Sequence, residues 1–188
     1  MWPFKSGRSP GRERDLKKDR YLSLDREGLN RLFEFNLRKI QLVDGLWFLH
    51  VEDRFGTQQA IDSNCAVWAE VGRRDARRAR DMLGVRGEGI PALIEALQKT
   101  FMAFADWEME QVSPNHAIFR ATTCYPQKAR VEKGRGVYDC RSTEEAFFTG
   151  YAQGIDAGIK VRCGFCPPEK YAGDLWCEWH FCLGEEPF

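Results

Sequence analysis

Four cysteines near the C-terminus constrain the fold of this chain more than any other feature. Cys163 and Cys166 form a C-x2-C pair, Cys177 follows in the stretch DLWCEWHF, and Cys140 lies just upstream. Thiolates at such spacings, directed at one point by a tight turn, are typical of tetrahedral zinc sites. The chain has 7 cysteines, an odd number that a disulfide framework does not explain neatly. The spacing therefore predicts a metal site formed by Cys163, Cys166 and Cys177, with Cys140 or Cys124 as the fourth ligand. We favour Cys140, which lies just before a predicted helix start, where backbone dipoles help to hold a thiolate.

Cysteines can also serve as core residues, as a redox pair or as ligands of an iron–sulfur cluster. Free cysteines often pack as small hydrophobic residues, and we favour that interpretation for Cys65 and Cys182. A redox C-x2-C pair normally opens a helix, whereas Pro167 and Pro168 follow Cys166 here. Four thiolates can also hold an iron–sulfur cluster, because spacing alone does not separate the metals. Zinc is the predicted cofactor and an iron–sulfur cluster is the alternative.

The charge balance limits the classes of partner. Lys and Arg together number 28, as do Asp and Glu, so the formal net charge is zero. Such a chain has no general electrostatic attraction to nucleic acid or to an anionic membrane. It also lacks an apolar run long enough to span a bilayer, and its basic N-terminus lacks the apolar stretch of a secretion signal. We expect a cytoplasmic protein with reduced thiols, a small-molecule partner, no nucleic-acid or membrane partner, and a homodimer as an open option.

The pattern of apolar residues changes period half-way along the chain. Residues 1–24 are basic and predict a disordered lead-in, and residues 25–188 predict a single α+β domain. Its helical part covers 25–105, and the sheet and metal site cover 106–188. Helices are predicted over 25–55, 57–83, 90–105 and 142–155, and strands over 106–113, 116–124, 158–163 and 175–183. The predicted architecture is an N-terminal helical layer packed on a C-terminal antiparallel sheet with an inserted helix.

Two local signals refine the ends of these helices. Asp25 precedes the first helix and predicts an N-cap. Ser142 and Glu145 have the spacing of a capping box, which predicts the start of the fourth helix. Residues 125–140, which include two glycines, predict an irregular segment.

The stretch DGLWFLHVEDRFG suggests a ligand pocket. Asp44 and Trp47 lie at a helical step, so the acid stands at one end of an aromatic face. An acid buried without a partner is costly, and Asp44 is therefore expected either to be paired or to face a cavity that Glu52 borders. An aromatic-walled pocket is the usual form of a small-molecule site. Ordinary core packing with carboxylates at its edge is the alternative.

The stretch TCYPQKAR is the best candidate for catalysis. Arg130 has the chemistry to recognise a carboxylate bidentately, and a nearby cation would lower the pKa of the Cys124 thiol. A catalytic thiol usually needs a base, and none of the three histidines is tied to Cys124 by spacing. The alternative is that Cys124 packs or serves as an alternative metal ligand, and that Arg130 forms a surface ion pair.

The cysteine order also carries a resemblance. Cys140, then Cys163-x2-Cys166, then Cys177 in a following strand resembles the zinc site of the 4-vinyl reductase domain superfamily. That superfamily includes small-molecule sensor domains of bacterial transcription activators. In those sensors a glutamate stands where this chain has Cys163, so the site here would be all-thiolate. Four thiolates leave zinc no open position, which favours a structural metal.

A second resemblance covers most of residues 25–183. The strings DGLWFLHVEDRFG, AVWAEVGRRDARR, CYPQKAR, GVYDC and IKVRCGFCPPEKY look like those of a family of bacterial and archaeal cytosolic proteins of unknown function. The resemblance implies that this family is adjacent to the L-2-amino-thiazoline-4-carboxylic acid hydrolase-like proteins. The resemblance is specific in the cysteine-rich end and weaker in the helices.

Together these features predict a cytosolic zinc-binding protein that binds or senses a small organic ligand. The alternative is a small-molecule hydrolase resembling the aminothiazoline-carboxylate hydrolase group, with Cys124 and Arg130 in its site. The sequence leaves open whether the chain is an enzyme. The candidate ligand-binding residues are Asp44, Trp47, Glu52, Gln127 and Arg130.

Overall fold

Helices come first along the chain, and a four-stranded sheet follows them. The structure, a computed structural model, describes residues 23–101, 103–169 and 173–184. The described residues form five helices: α1 (Arg26–Phe55), α2 (Thr57–Leu83), α3 (Gly89–Thr100), α4 (Tyr125–Glu132) and α5 (Arg141–Ile155). The strands are β1 (Ala105–Ser113), β2 (His116–Cys124), β3 (Ile159–Phe165) and β4 (Cys177–Leu183). The predicted α+β class is confirmed.

The chain divides into two compact units, residues 1–40 and 41–188. In the described part of the first unit, Asp25 caps α1, because its Oδ1 accepts a hydrogen bond of 2.7 Å from the Gly28 amide. This agrees with the cap expected from the sequence. The predicted disordered lead-in, residues 1–24, falls outside the described residues except for its last two. The rest of the fold belongs to the second unit.

Several helix ends differ from the sequence prediction. α3 ends at Thr100 rather than 105, because residues from Ala105 onward pair with β2 as a strand. α4 occupies part of the segment predicted to be irregular, with a proline in its first turn, where a missing amide costs little. α5 begins at Arg141 with Cys140 as its N-cap, and the Asp139 carboxylate accepts a hydrogen bond of 3.0 Å from the Arg141 amide. The predicted capping box of Ser142 and Glu145 is therefore wrong.

The sheet is antiparallel, in the order β1-β2-β4-β3. Alternation along β4 places Trp179 and Phe181 in the core, while Glu178 and His180 lie partly exposed on the opposite face. This is the two-residue period expected of a strand with one buried face. Apolar residues of α3 and α5 belong to the same core cluster as the inner face of the sheet.

α2 and α5 pack backbone to backbone. A Cβ atom placed on Gly72 would clash with the Phe147 carbonyl oxygen, and one on Gly150 would lie 2.9 Å from the Ala69 carbonyl oxygen. Only glycine allows helices to approach this closely. The crossing places Trp68 of α2 beside Phe147 of α5, with ring centroids 5.7 Å apart. No helix in the described ranges has the length and apolar character needed to cross a membrane.

Candidate functional site

A cavity lies where α1, α2 and α5 meet the segments before β1 and α5. It has a volume of about 30 Å³ and lies within about 360 Å³ of empty space that includes open solvent. A site of the smaller volume holds a water molecule or a group of similar size. The described residues that line it come from both halves of the sequence: Asp44, Asn64, Trp68, Phe101, Phe104, Pro126, Tyr138, Thr143, Glu144 and Phe147.

Aromatic rings form most of the apolar wall. Trp68 meets Phe104 edge-on at 4.9 Å between ring centroids, and Phe147 edge-on on another side. Edge-to-face geometry of this kind is the favoured arrangement for aromatic pairs and holds the rings in place. Tyr138 is packed against Phe48 at 4.8 Å between ring centroids. The wall is therefore rigid on the side formed by α2 and α5.

Asp44 brings one carboxylate to the cavity from α1. Its Oδ1 accepts a hydrogen bond of 3.1 Å from the Trp68 indole N–H. Burial raises the pKa of Asp44, and the indole bond offsets part of that rise. The sequence predicted that Asp44 is paired or faces a cavity, and in the structure it does both.

Glu144 brings a second carboxylate from the first turn of α5. Its side chain has no hydrogen bond or salt bridge to any other described side chain. Burial raises the pKa of Glu144 to about 7, with contributions from the negative charges of Cys166 and Asp44. A carboxyl group that is neither paired nor fully solvated is uncommon in a structural role.

Thr143 adds an unsatisfied polar atom to the same wall. The residue is 3% exposed, and its Oγ1 finds no hydrogen-bond partner within the described part of the chain. Buried hydroxyl groups in folded proteins are nearly always bonded, so each exception calls for an explanation. Here the group borders a cavity large enough for a partner atom.

Arg130 forms an ion pair, which was the alternative expected from the sequence, but the pair is buried rather than on the surface. It forms a bidentate pair with Glu52, at 2.8 and 3.0 Å, and its Nε donates to the Gly136 carbonyl. The hydrogen bonds from Arg130 are the main cause that lowers the pKa of Glu52 to about 2. Both side chains are at least nine-tenths buried. Because these donors already serve Glu52, neither residue is placed to bind a carboxylated ligand.

Gln127 and Cys124 also have structural surroundings. The Gln127 side chain bonds the backbone of Tyr138 twice, through the carbonyl at 2.9 Å and the amide at 3.2 Å. Burial raises the pKa of the Cys124 thiol to about 12. The expectation that a cation would lower this pKa is wrong, because Arg130 is committed to Glu52 and desolvation dominates.

Trp47 is the remaining candidate ligand-binding residue. It is 66% exposed and does not line the cavity. Of the five candidates from the sequence, the structure therefore places only Asp44 in the cavity wall.

Cys166 interacts with two of the other predicted metal ligands, Cys140 and Cys163. Cys166 lies in the turn after β3, where the Glu169 amide donates to its carbonyl oxygen at 3.0 Å. The thiols of Cys140 and Cys163 donate hydrogen bonds to Cys166, which lowers the pKa of Cys166 to about 3. The same bonds raise the pKa values of Cys140 and Cys163.

Cys177 is the first residue of β4 and is paired with Ala121 of β2. Burial is the main cause that raises its pKa well above the usual value, followed by the negative charges of Glu144 and Cys124. Within residues 23–101, 103–169 and 173–184, no group of three or more His, Cys, Asp or Glu side chains takes up a metal-holding arrangement. The contacts around Cys166 thus bring thiols together without displaying a formed metal centre.

Comparison with known proteins identifies the family. A model described as Family of unknown function (DUF6125) matches residues 22–183. The chain belongs to this family. The match agrees with the sequence-based expectation of an uncharacterised family, while the likeness to the 4-vinyl reductase superfamily stays a prediction. No curated protein matches the chain.

Solved structures share the fold. Among them is the crystal structure of the phenol-responsive sensory domain of the transcription activator PoxR with phenol. The similarity covers 74% of this chain and 72% of that chain, with a TM-score of 0.51 and 18% sequence identity. At this identity the comparison concerns the fold alone.

Most of the cavity wall was not identified from the sequence. Glu144 had a detectable signal, because Glu144, Phe147 and Tyr151 follow helical steps that put an acid at the head of an apolar face. Phe101 and Phe104 had none, since they lie in a short non-helical connection between α3 and β1.

Proposed function

We propose that this protein binds a small organic molecule in the cavity and acts as a ligand-responsive sensor. The observation that supports the proposal best is the convergence of Asp44, Glu144 and the unpartnered Thr143 hydroxyl on one aromatic-walled space. Small-molecule sites are typically apolar cavities with a few converging polar groups. The fold shared with a phenol-responsive sensory domain is consistent with this.

Energetics favour a ligand over simple core packing. Burying a hydroxyl without a partner costs on the order of 1–3 kcal/mol, and a poorly solvated carboxylate costs more. The Glu52–Arg130 pair shows that a buried carboxylate in this fold can have a cationic partner. A ligand that donates hydrogen bonds to Glu144 and Thr143 would offset those costs in the bound state.

The hydrolase alternative has little support from geometry. A nucleophilic thiol needs a lowered pKa or an adjacent base, whereas burial raises the pKa of Cys124 to about 12. Arg130, the other proposed residue, is bound to Glu52 through both of its terminal nitrogens.

We further propose that Cys140, Cys163, Cys166 and Cys177 hold a structural zinc ion. A thiolate at Cys166 with two thiol neighbours has the charge and ligand type that zinc selects. Zinc would draw off the thiol protons and replace the hydrogen bonds between sulfurs with metal–sulfur bonds. It would join the start of α5 to the turn after β3 and to β4. An iron–sulfur cluster is the alternative occupant.

A fragment screen tests the ligand proposal. Small aromatic compounds, phenol among them, would be screened by ligand-detected NMR against wild type, Trp68→Phe and Trp47→Phe. We expect hits that lose at least about tenfold in affinity in Trp68→Phe, which lacks the indole N–H that holds Asp44. Trp47→Phe is the matched control on an exposed position. Hits that bind all three proteins equally would show that the cavity is not the site.

Metal analysis tests the zinc proposal. Elemental analysis of wild type, Cys166→Ser and Cys65→Ser would compare bound zinc, iron and sulfide per chain. About one zinc is expected in wild type and in the Cys65→Ser control, and a large loss in Cys166→Ser. Iron with labile sulfide would indicate the cluster instead, and a metal-free wild type would refute both.

A further inference from the structure

Resting on the proposed function, we infer that the cavity selects a small organic cation, a primary arylalkylamine in its ammonium form. Two carboxyl groups, Asp44 and Glu144, face one cavity, and an unpartnered hydroxyl accompanies them. The aromatic rings around them supply the rest of the site.

The charges lining the cavity are all of one sign. Among the described residues of the wall, two are acidic and no Lys, Arg or His occurs. Arg130 packs over the Tyr138 ring at 5.1 Å, but its guanidinium is bound to Glu52. An anionic ligand would meet two carboxylates without a compensating cation, which is strongly unfavourable at short range. A cation would instead relieve the repulsion between Asp44 and Glu144.

The hydrogen-bonding groups also match an ammonium. A primary ammonium has three donors and no acceptor. The Glu144 carboxylate offers acceptor oxygens, and the Thr143 Oγ1 is free to accept a hydrogen bond because it has no partner among the described residues. One oxygen of Asp44 accepts the Trp68 indole bond, and its other oxygen is left for the ligand. A phenol or alcohol hydroxyl donates only one hydrogen bond, so it would leave part of this set unsatisfied.

The aromatic wall favours a positive charge as well. Cations are attracted to the faces of Trp and Tyr rings, by more when they are desolvated. Trp68 and Tyr138 both border the cavity. Because Arg130 already lies over the Tyr138 ring, Trp68 is the wall ring from which we expect this contribution.

The size of the cavity limits the ligand. The cavity, about 30 Å³, admits an ammonium group but not a quaternary ammonium with several methyl groups. The surrounding empty space of about 360 Å³ includes open solvent, so a single aromatic ring attached to the ammonium would lie in the open mouth. Benzylamine is accordingly a suitable probe.

Calorimetric titration with three probes of similar shape tests the inference: benzylamine (cation), benzyl alcohol (neutral) and benzoate (anion). The proteins are wild type, Asp44→Asn, Glu144→Gln and Glu145→Gln. Glu145 is the neighbouring glutamate on α5 and is exposed, so it controls for non-specific attraction of cations. Asp44→Asn keeps an oxygen that can accept the Trp68 bond. Circular dichroism and thermal melts would confirm that each variant is folded.

We expect wild type to bind benzylamine at least about tenfold more tightly than benzyl alcohol, and benzoate most weakly. Removal of one charge-assisted hydrogen bond should weaken benzylamine binding about tenfold or more in Asp44→Asn and in Glu144→Gln. Benzyl alcohol binding should change less than about threefold, and Glu145→Gln should match wild type for every probe.

The outcomes separate this inference from the proposed function. If benzyl alcohol or benzoate binds as tightly as benzylamine, and does so in the cavity, the cation preference is wrong and ligand binding stands. If benzylamine binding is unaffected by Asp44→Asn and Glu144→Gln, or is lost in Glu145→Gln, the amine binds the surface and the inference fails. If none of the probes binds a folded wild type, the inference fails, and the fragment screen decides the proposed function separately.

Discussion

Gly72→Ala should destabilise the protein because α2 and α5 have no room for one more carbon. The new Cβ would clash with the Phe147 carbonyl oxygen and lie 3.1 Å from the Tyr151 amide nitrogen. These are backbone atoms of a helix, so they cannot rotate aside as a flexible side chain would. Relief requires the two helices to move apart.

Two opposing effects set the magnitude. Replacing glycine with alanine in a helix interior stabilises by about 1 kcal/mol through backbone entropy and propensity. Overpacking a close contact costs about 1–3 kcal/mol, and a clash with a backbone oxygen belongs at the upper end. We expect a net loss of about 2 kcal/mol in the free energy of unfolding. For a chain of this length that lowers Tm by about 4–8 °C.

Gly45→Ala provides the matched control for this prediction. Gly45 also lies inside a helix, and the space that its Cβ would occupy has no neighbouring atom within 4 Å. Gly45→Ala should therefore raise the free energy of unfolding by about 0.5–1 kcal/mol. Urea unfolding of wild type and both variants would measure the difference, about 3 kcal/mol. If Gly72→Ala is as stable as Gly45→Ala, the close crossing of α2 and α5 is refuted.

Three further predictions concern individual side chains. The folded-state pKa of Glu52 is lowered to about 2 from 4.5, so the contribution of Glu52 to stability is present above pH 4.5 and lost as pH falls towards 2. Urea unfolding at a series of pH values should show a loss of about 2 kcal/mol in the free energy of unfolding over this range. The pH dependence should be weaker in Glu52→Gln than in the control Asp53→Asn. Thr143→Val should leave the ligand-free protein equally stable or up to about 1 kcal/mol more stable, since it removes an unsatisfied hydroxyl; a loss above about 1 kcal/mol in chemical denaturation would show that the hydroxyl has a partner. Cys124 and Cys65 are both partly exposed, but desolvation raises the pKa of Cys124 to about 12. Mass spectrometry of peptides should therefore show slower iodoacetamide labelling of Cys124 than of Cys65 at neutral pH.

Regular elements with strong periodicity were predictable from the sequence. α2 was expected over 57–83 and forms there, and β1 and β2 differ from prediction by at most one residue. These segments combine a clear apolar period with turn or glycine residues at their ends. The missed helix α4 has eight residues and little apolar periodicity. Its stability comes instead from tertiary contacts such as the Gln127 bonds to Tyr138, which local sequence does not reveal.

The candidate site was less predictable because its members are distant in sequence. Asp44 was identified as an acid on an aromatic helix face, and its partner Trp68 belongs to the next helix. The same sequence pattern pointed to Glu52 and Trp47, yet one is paired with Arg130 and the other is exposed. A one-dimensional pattern shows that an acid lies near apolar residues. It does not show whether a cation from another element reaches that acid.

That difference also indicates which acids serve structure and which are available to a ligand. Glu52 and Asp44 lie on the same helix, but Glu52 has the Arg130 guanidinium against both of its oxygens, and those bonds hold its pKa low. Asp44 has only a neutral indole N–H, and burial raises its pKa. Folding alone therefore stabilises the charge on Glu52 and disfavours the charge on Asp44. Groups whose placement lowers stability are expected where function requires them. We therefore expect a positively charged ligand group to donate hydrogen bonds to Asp44 and Glu144, as the Arg130 guanidinium does to Glu52.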